Sequence, residues 1–449
     1  MDEQPLQNMS DKKVTVLGAA RSGLAAARML KRQGTPVFVS DIAEKENKTA
    51  QVRELEANGI EYEFGKHSQR CYDADMVVLS PGIPVKSEAV QQFLHKKIPV
   101  YSEIEVASWF CKAPIIAITG SNGKTTTTTL IGEMLKKIYP DAIVAGNIGL
   151  ALSDFVEDSY SGTWVVVEVS SFQLETIDSF HPRIAAVLNF APNHLDRYDR
   201  YEDYLKAKWR ITKNLKPEDH LIYNLADQNL SSWVEPLNVQ KHGFDINGRK
   251  ESIIEFVEGC IRFKDAVFMR EQDIALRGMH NYMNVMAAIL AADLAGVPAD
   301  AIKGTLSEFS GVEHRLEFVR EFDGVRYIND SKATTVESLS YALRSFNVPV
   351  VLIAGGKDKG SNFSALNQLI RERTKAVVLI GSATEKMAET WKTFKPIHPA
   401  QSMEDAVNKA RSIAAPGEVV LLSPACASFD MFNDFEDRGR CFKAIVSDL

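Results

Sequence analysis

Residues 115–126 have the residue types and the spacing of a phosphate-binding loop. The segment reads IIAITGSNGKTT, so that an apolar run precedes a turn with Gly120 and Gly123, and Lys124 and Thr125 then begin a stretch of helical spacing. Glycines let backbone N–H groups approach phosphate oxygens, a lysine reaches the terminal phosphates, and a threonine hydroxyl can coordinate Mg2+. The pattern predicts nucleotide binding. It is two residues shorter than the common motif, and an ordinary turn between a strand and a helix is the alternative.

Three side chains further along the chain could complete a metal site. Glu168 lies near the end of the apolar run 164–169, where an acid suits a Mg2+ ligand, the alternative being an ion pair with a lysine. His194 follows the run 184–189 and is either a second metal ligand or a hydrogen-bonded loop histidine. Lys208 lies in a predicted helix, 201–215, and its spacing alone favours a solvated surface lysine.

Two amides stand at the start of a long alanine-rich helical pattern. Asn281 and Asn284 are three residues apart and therefore share one face of the predicted helix. At that position they could hydrogen-bond an adenine edge or cap the helix. Both interpretations stay open from the residues alone.

The first hundred residues contain a second candidate nucleotide site. A strand over 14–17, a turn from Gly18 to Gly23 and a strand ending at Asp41 are similar to a dinucleotide-binding unit. The middle glycine of that fingerprint is replaced by Ala20, whose Cβ crowds a pyrophosphate, so a plain strand–helix unit is the alternative. A Ser-Pro-Gly turn follows the strand 75–79 and offers either a ligand contact or a stiff surface turn.

The strands and turns predict an α/β protein of three domains. These are a Rossmann-like domain over 1–103, a central P-loop ATPase-like domain with a mainly parallel sheet over 104–311, and a second Rossmann-like domain over 312–449. In the last of these, apolar runs at 350–354, 377–380 and 419–422 alternate with helical patterns.

Composition excludes several classes of protein. The chain has 449 residues and a net charge of −7, so nucleic-acid binding has no electrostatic support. Five scattered cysteines without a C-x-x-C pair favour a reducing compartment over structural zinc or disulfides. No apolar run approaches the roughly 18 residues of a membrane span, and the acidic N-terminus is unlike a signal peptide, which together predict a cytoplasmic protein.

Eight segments together resemble one family, the Mur ligases of peptidoglycan synthesis, in order and over nearly the whole chain. They are 118–126, 146–149, 168–175, 194–197, 278–284, 314–317, 329–334 and 423–430. Four runs point to the D-glutamate-adding member, namely 80–83, 170–175, 330–334 and 423–428. An Asp-Asn-Pro-Arg motif, which the diaminopimelate- or lysine-adding relative would show, is absent.

The resemblance implies an ATP-dependent ligase that adds D-glutamate to UDP-N-acetylmuramoyl-L-alanine through an acyl phosphate and a tetrahedral intermediate, with two Mg2+ ions. The implied catalytic residues are Lys124, Glu168, His194 and Lys208. The implied metal ligands are Thr125, Glu168, His194 and Lys208, the last as a carbamate formed with CO2. The implied ATP-binding residues are Gly120, Asn122, Gly123, Lys124, Thr125, Thr126, Asn281, Asn284, Arg315 and Asp330.

The same resemblance assigns two substrate sites. The implied UDP-sugar residues are Arg21, Ser22, Asp41, Ser80, Gly82, Asn147, Ser170 and Gln173. The implied D-glutamate residues are Lys332, Thr334, Lys359, Ser428 and Phe435, with Lys357 as an alternative to Lys359. The partners are small molecules, and the protein is expected to be a monomer. Asn193 stands where relatives often have an aspartate before the histidine.

Three other hypotheses compete with this one. Another ligase of the same fold would use a different amino acid. An NAD-dependent oxidoreductase would explain Gly18 to Asp41 but would leave the loop at Gly120 unexplained. A non-catalytic nucleotide sensor would bind ATP without turnover.

Overall fold

The computed structural model describes residues 9–147, 149–191, 197–249, 251–358 and 360–449. The described residues up to Phe309 form one compact unit, and Ser310–Leu449 forms a second. Three sheets, two in the first unit and one in the second, organise the chain.

The first sheet has five parallel strands in the order β3-β2-β1-β4-β5. Strand β1 is buried along its whole length, as expected for a central parallel strand, and the hydroxyl of its Thr15 donates to the carbonyl of Cys71 at 2.8 Å. The strand order reverses between β1 and β4, where ligands of such sheets bind. Its elements are β1 (Val14–Leu17), α1 (Arg21–Arg32), β2 (Val37–Asp41), α2 (Thr49–Ala57), β3 (Glu61–Phe64), β4 (Met76–Leu79), α3 (Glu88–His95), β5 (Val100–Ser102) and α4 (Glu103–Phe110).

The second sheet has nine strands in the order β14-β13-β12-β11-β10-β9-β6-β8-β7. It is parallel from β7 to β12 and antiparallel at β13 and β14. Its elements are β6 (Ile115–Thr119), α5 (Lys124–Lys136), β7 (Ile143–Gly146), β8 (Val165–Glu168), α6 (Ser171–Leu174), β9 (Ile184–Val187), α7 (Tyr201–Trp209), β10 (His220–Asn224), α8 (Gln228–Val234), β11 (Gln240–Asp245), β12 (Ile254–Val257), β13 (Cys260–Phe263), β14 (Ala266–Arg270), α9 (Met279–Leu294) and α10 (Ala299–Glu308).

Two buried acids on α4 tie the first sheet to the segments around the second. The Glu105 carboxylate accepts the backbone N–H groups of Asp178, Ser179 and Phe180 at 2.8 to 2.9 Å. Glu103 Oε1 accepts the N–H and the hydroxyl of Ser153 at 2.7 and 2.6 Å. Because both carboxylates are fully buried, these bonds replace water and fix α4 against the central part of the chain.

The second unit holds a six-stranded sheet in the order β15-β16-β20-β17-β18-β19, parallel except for the β15–β16 pair. Its elements are β15 (Glu317–Phe322), β16 (Val325–Asn329), α11 (Val336–Arg344), β17 (Val350–Gly355), α12 (Asn367–Arg373), β18 (Thr374–Ile380), α13 (Thr384–Trp391), β19 (Ile397–Pro399), α14 (Met403–Ile413), β20 (Val419–Leu422) and α15 (Phe435–Ser447).

The α/β class and its mainly parallel sheets are confirmed, whereas the boundaries of the three domains stay a prediction. One element differs in length from its sequence-based expectation: the helix expected over 201–215 ends at Trp209 and continues as a short 3-10 turn. Across the described ranges, no helix combines the length and the apolar character that a bilayer-spanning segment requires.

Candidate active site

The phosphate-binding loop connects β6 to α5 at the carboxyl edge of the central sheet. Gly123 caps α5 in the left-handed region, at a φ of 82°. A Cβ on Gly123 would lie 2.1 Å from Asn284 Oδ1, so a larger residue would displace that amide as well as strain the backbone. Glycine is therefore required here both for the turn and for the close approach of α9.

The strand next to β6 holds the loop in shape. Asn189, just beyond β9, accepts the N–H of Asn122 at 2.9 Å and donates to the carbonyl of Asn122 at 3.1 Å. Its own carbonyl accepts the N–H of Ser121 at 3.0 Å, and the Ser121 hydroxyl donates to the carbonyl of Ala191 at 2.9 Å. Asn189 is not among the residues predicted for the site, and an amide directly after a buried strand is the signal that could have identified it.

Two lysines from different parts of the chain converge on this loop. Lys124 Nζ donates to the carbonyls of Gly120 and Ser121 at 2.8 and 3.1 Å. Lys208 Nζ donates to the same Gly120 carbonyl at 2.9 Å and lies 4.8 Å from the centre of the Tyr204 ring. The expectation of a solvated Lys208 from its spacing alone is wrong, since the residue is 2% exposed.

The electrostatic surroundings of Lys208 favour its neutral amine. Burial comes first, and the positive charge of Lys124 second, in holding its pKa well below the usual value, while the charge of Glu168 acts in the opposite direction. A neutral amine is a nucleophile, whereas an ammonium group is not. The lowered pKa shifts the Lys208 side chain toward its nucleophilic form, beside the Gly120 carbonyl of the loop.

Glu168 is the last residue of β8 and pairs with Ile118 of the neighbouring strand β6. One of its two carboxylate oxygens accepts a hydrogen bond and the other does not. Its Oε1 accepts from Asn147 Nδ2 at 2.9 Å. Its Oε2 is buried without a hydrogen-bond partner, in a residue 2% exposed. A buried, unpaired carboxylate oxygen is costly unless a cation completes it. A carboxylate oxygen is a ligand that Mg2+ prefers, and the role of the Thr125 hydroxyl stays a prediction.

The two amides of α9 lie near the loop, on the same face of the helix. Asn284 is 6% exposed and donates to Asn281 Oδ1 at 3.4 Å, while Asn281 Nδ2 donates to the carbonyl of Arg277 at 2.8 Å. Asn281 thus bonds to the start of its own helix and Asn284 lies against Gly123, while adenine binding by the pair stays a prediction.

A cavity of about 960 Å3 lies beyond the carboxyl ends of β1, β2 and β4. Its lining includes six of the eight residues predicted for the UDP-sugar, namely Arg21, Ser22, Asp41, Ser80, Gly82 and Asn147. Its volume is in the usual range for a small-molecule site. Ala20 also lines the cavity, so its Cβ shapes the wall rather than closing the site.

Two polar side chains of this cavity also hold its turns together. Asp41 accepts the N–H groups of Ala19 and Ala43 at 2.7 and 2.8 Å. The Ser80 hydroxyl donates to the carbonyl of Gly18 at 2.9 Å. Asp41 also forms an ion pair with Lys48, at 3.7 Å from Lys48 Nζ to Asp41 Oδ2.

Arg21 links the cavity to the turn that carries Asn147. Its guanidinium donates to the carbonyls of Gly146 and Gly149. The turn at 146–149 is thereby joined both to the first sheet and, through Asn147, to Glu168.

Ser170 and Gln173 are placed differently from the other predicted UDP-sugar residues. Ser170 caps α6: its hydroxyl lies 3.3 Å from the N–H of Gln173, and Gln173 Oε1 accepts the N–H of Ser170 at 3.0 Å. The two side chains therefore close on each other as a capping box, outside the lining of the cavity.

In the second unit, two of the residues predicted for D-glutamate, Lys332 and Phe435, lie together, and Asp330 is buried in the same unit. Asp330 accepts from the Ser423 hydroxyl at 2.8 Å and from the N–H of Leu316 at 3.1 Å, and burial raises its pKa to about 7. Lys332 Nζ lies 5.7 Å from the centre of the Phe435 ring. The charge of Arg315 acts against the rise in the pKa of Asp330, which places the two residues near each other.

His194 and Lys359, predicted for metal and D-glutamate binding, lie outside the described residues. The roles of both stay predictions.

Three family models match the chain in order along its length. They are "Mur ligase MurD-like, N-terminal domain" over 12–102, "Mur ligase middle domain" over 118–292, and "Mur ligase, glutamate ligase domain" over 314–426. The chain belongs to the Mur ligase family.

Relatives that carry the name of one Mur ligase activity are similar to this chain over nearly its full length. The UDP-N-acetylmuramoylalanine--D-glutamate ligase of Salinibacter ruber is 44% identical, with 97% of this chain and 98% of the relative covered. The ligase of the same name from Chloroherpeton thalassium is 41% identical, with 99% of both chains covered.

Solved Mur ligase structures share the fold. UDP-N-acetylmuramate-alanine ligase MurC from Thermotoga maritima aligns with a TM-score of 0.59 at 19% identity, covering 97% of this chain and 99% of that one. MurF ligase from the same organism, solved with ADP, aligns with a TM-score of 0.57 at 16% identity, covering 92% and 95%. Membership in a ligase family argues against the oxidoreductase hypothesis.

Proposed function

We propose that this protein is an ATP-dependent ligase that joins D-glutamate to UDP-N-acetylmuramoyl-L-alanine in cytoplasmic peptidoglycan precursor synthesis. The observation that carries the proposal is the full-length similarity, at 41 to 44% identity, to relatives bearing that ligase name. The grouping of Lys124, Lys208 and Glu168 around one loop supports it, because phosphoryl transfer needs cations and a metal ligand there.

The proposed reaction has two steps. The carboxylate of the alanyl group attacks the terminal phosphorus of ATP, so that ADP leaves and an acyl phosphate forms. The amine of D-glutamate, having lost a proton, attacks the acyl carbon, and the tetrahedral intermediate releases phosphate as the amide forms. Negative charge develops first on the transferred phosphoryl group and then on the tetrahedral oxygen, and both need stabilisation.

Lys124 is the residue best placed to meet the phosphoryl charge. Its Nζ is folded onto the carbonyls of Gly120 and Ser121, and phosphate oxygens would replace these neutral acceptors with charged ones. The loop N–H groups and the N-terminus of α5 add a positive field at the same place. Asn189 keeps the loop in the shape that this binding requires.

Thr125, Glu168, His194 and Lys208 as a carbamate would hold Mg2+, and the unpaired Glu168 Oε2 fits that role. When bound, Mg2+ neutralises charge on the phosphate oxygens. Carbamylation joins the nitrogen of the neutral Lys208 amine to the carbon of CO2 and releases one proton, so that the neutral amine becomes an anionic carbamate. The lowered pKa of Lys208 supports this proposal because the reaction needs the neutral amine.

The UDP-sugar would occupy the 960 Å3 cavity, with its alanyl end directed toward Asn147 and the loop. Asn281 and Asn284 would contact ATP, and Arg315 and Asp330 stay predicted ATP-binding residues. D-glutamate would bind Lys332, Thr334, Ser428, Phe435 and Lys359, or Lys357 in place of the last. The enzyme is proposed to act as a monomer.

Phosphate release tests the proposal directly. The purified protein is given ATP, Mg2+ and UDP-N-acetylmuramoyl-L-alanine, with D-glutamate, L-glutamate, L-alanine or meso-diaminopimelate in separate reactions. Release with D-glutamate alone is expected. Release with another amine would move the protein to a sister activity within the family. Folded protein that binds ATP but releases no phosphate with any of them would instead support the sensor hypothesis.

A further inference from the structure

Arg438, on α15, is a buried arginine that holds two loops of the second unit together. It is 1% exposed. Its Nε donates to the Ser331 hydroxyl at 2.9 Å and its Nη2 to the Ser331 carbonyl at 2.8 Å. Its Nη1 donates to the carbonyl of Cys426 at 3.2 Å. One planar guanidinium thus fixes the turn after β16 relative to the turn after β20.

Both turns carry residues proposed for the amino-acid substrate. Ser331 directly precedes Lys332, and Cys426 lies two residues before Ser428. The Ser331 hydroxyl, which accepts from Arg438, donates in turn to the carbonyl of Phe435 at 2.8 Å. A movement of Arg438 would therefore displace three of the proposed D-glutamate contacts at once.

The glycine loop after β17 also packs against this arginine. A Cβ on Gly356 would lie 3.1 Å from Arg438 Nη1 and 2.3 Å from the carbonyl of Ala427. Lys357 and Ala427 exchange two backbone hydrogen bonds, at 2.8 and 3.2 Å. The loop that carries Lys357 is thereby held at the same centre.

The charge of Arg438 has neutral acceptors, a hydroxyl and two carbonyls. Burial lowers its pKa to about 10, so it stays charged at neutral pH. The charge of Asp430 raises the pKa of Arg438, but the Asp430 carboxylate accepts the N–H of Ser382 at 2.8 Å. Among the described residues, no carboxylate forms an ion pair with Arg438. An unpaired buried cation is costly, and an anion bound nearby would offset that cost.

We propose that Arg438 is a positioning residue for an amino-acid substrate with two carboxylates, arranging the three loops around it and adding a buried positive charge at their centre. The inference rests on the proposed ligase function. A dicarboxylate needs several cations and oriented donors, and Arg438 sets the spacing of the groups that provide them.

The test compares Arg438→Lys with Arg440→Lys in the phosphate-release assay. Arg440 lies on the same helix but is exposed and 3.9 Å from Asp434. Lysine keeps the charge of Arg438 but loses the fork that reaches three acceptors. We expect Arg438→Lys to raise the KM for D-glutamate about tenfold or more, the effect of losing one or two charged hydrogen bonds. The KM values for ATP and the UDP-sugar should stay within about twofold, as should all values for Arg440→Lys.

A second readout separates positioning from general damage. The preference of the wild-type enzyme for D-glutamate over D-glutamine reports recognition of the second carboxylate, and Arg438→Lys should reduce that preference. An unchanged KM for D-glutamate, or an equal change in all three KM values, would overturn the inference. If Arg438→Lys does not fold, Ser331→Ala removes the hydroxyl link and is read in the same way. Wild-type protein without D-glutamate turnover would overturn the proposed function itself.

Discussion

Lys124 and Lys208 donate to one and the same acceptor, the carbonyl of Gly120, at 2.8 and 2.9 Å. Two like charges on one carbonyl repel each other, and part of the depressed pKa of Lys208 comes from this proximity. Converting the Lys208 amine to a carbamate would replace that repulsion with attraction. The shared acceptor thus gives the proposed modification an electrostatic reason.

The first prediction concerns Lys208. Lys208→Ala should lose about 99% or more of the activity, because a catalytic group worth several kcal/mol is removed. Small carboxylates such as formate or acetate, measured over a concentration series, should restore part of it by filling the place of the carbamate. Lys206→Ala is the matched control, being on the same helix but exposed, and it should be fully active. Folded Lys208→Ala without any rescue would leave the carbamate role unsupported.

The second prediction concerns Asn189. Asn189→Ala removes both hydrogen bonds to the Asn122 backbone and should raise the KM for ATP about thirtyfold, at roughly 1 kcal/mol for each bond. Asn189→Asp keeps the acceptor but adds negative charge beside the phosphates, so its KM should rise further. Exposed Asn229 offers the control, and Asn229→Ala should match the wild type. Normal ATP kinetics in Asn189→Ala would show that the loop keeps its shape without this clamp.

The third prediction separates backbone strain from a clash. Gly123 and Gly34 have nearly equal φ values, 82° and 81°, but a Cβ on Gly34 meets nothing within 4 Å. Alanine at either position should cost about 1 to 2 kcal/mol of stability through the backbone. Calorimetric ATP titration should show loss of binding in Gly123→Ala alone, because its Cβ also displaces Asn284. Equal ATP affinity in the two variants would mean that the Asn284 contact is unimportant.

The strand and the helix on either side of the loop were predicted from local patterns, because the whole segment is contiguous, from Ile115 to Lys136. The clamp by Asn189 was missed because its partner, Asn122, is 67 residues away. The link from Glu105 to Phe180, 75 residues apart, was missed for the same reason. Contacts of this kind depend on which strands become neighbours, and the spacing of residues does not encode that order.

Lys208 shows a different limit. Its place on a helix with Lys206 and Arg210 favours a polar surface, and spacing cannot show that the phosphate-binding loop covers that face. Ser80 shows another limit: it lines the cavity, as the prediction of a ligand contact requires, but its hydroxyl also donates to the carbonyl of Gly18. A hydroxyl can serve either purpose, and the structure is needed to see which acceptor is within reach.

The last prediction is a pH dependence of stability that originates at Glu103. Burial raises the pKa of this fully buried carboxyl from 4.5 to about 7, while the bonds from Ser153 act against the rise. The folded protein then binds a proton that the unfolded chain releases between about pH 4.5 and pH 7. The stabilising effect of that proton is complete below pH 4.5 and is lost as the pH rises through 7.

Glu103→Gln has no titrating group at this position. The difference in the free energy of unfolding between this variant and the wild type should therefore change with pH. Between pH 5 and pH 8, the wild type should lose about 3 kcal/mol relative to Glu103→Gln, as a shift of some two and a half pKa units implies. Urea unfolding of both proteins at several pH values measures the difference. Glu202 is exposed, so the free energy of unfolding of Glu202→Gln should depend on pH in the same way as that of the wild type. A constant difference between wild type and Glu103→Gln would mean that Glu103 stays ionised, and that the Ser153 bonds offset the cost of burial.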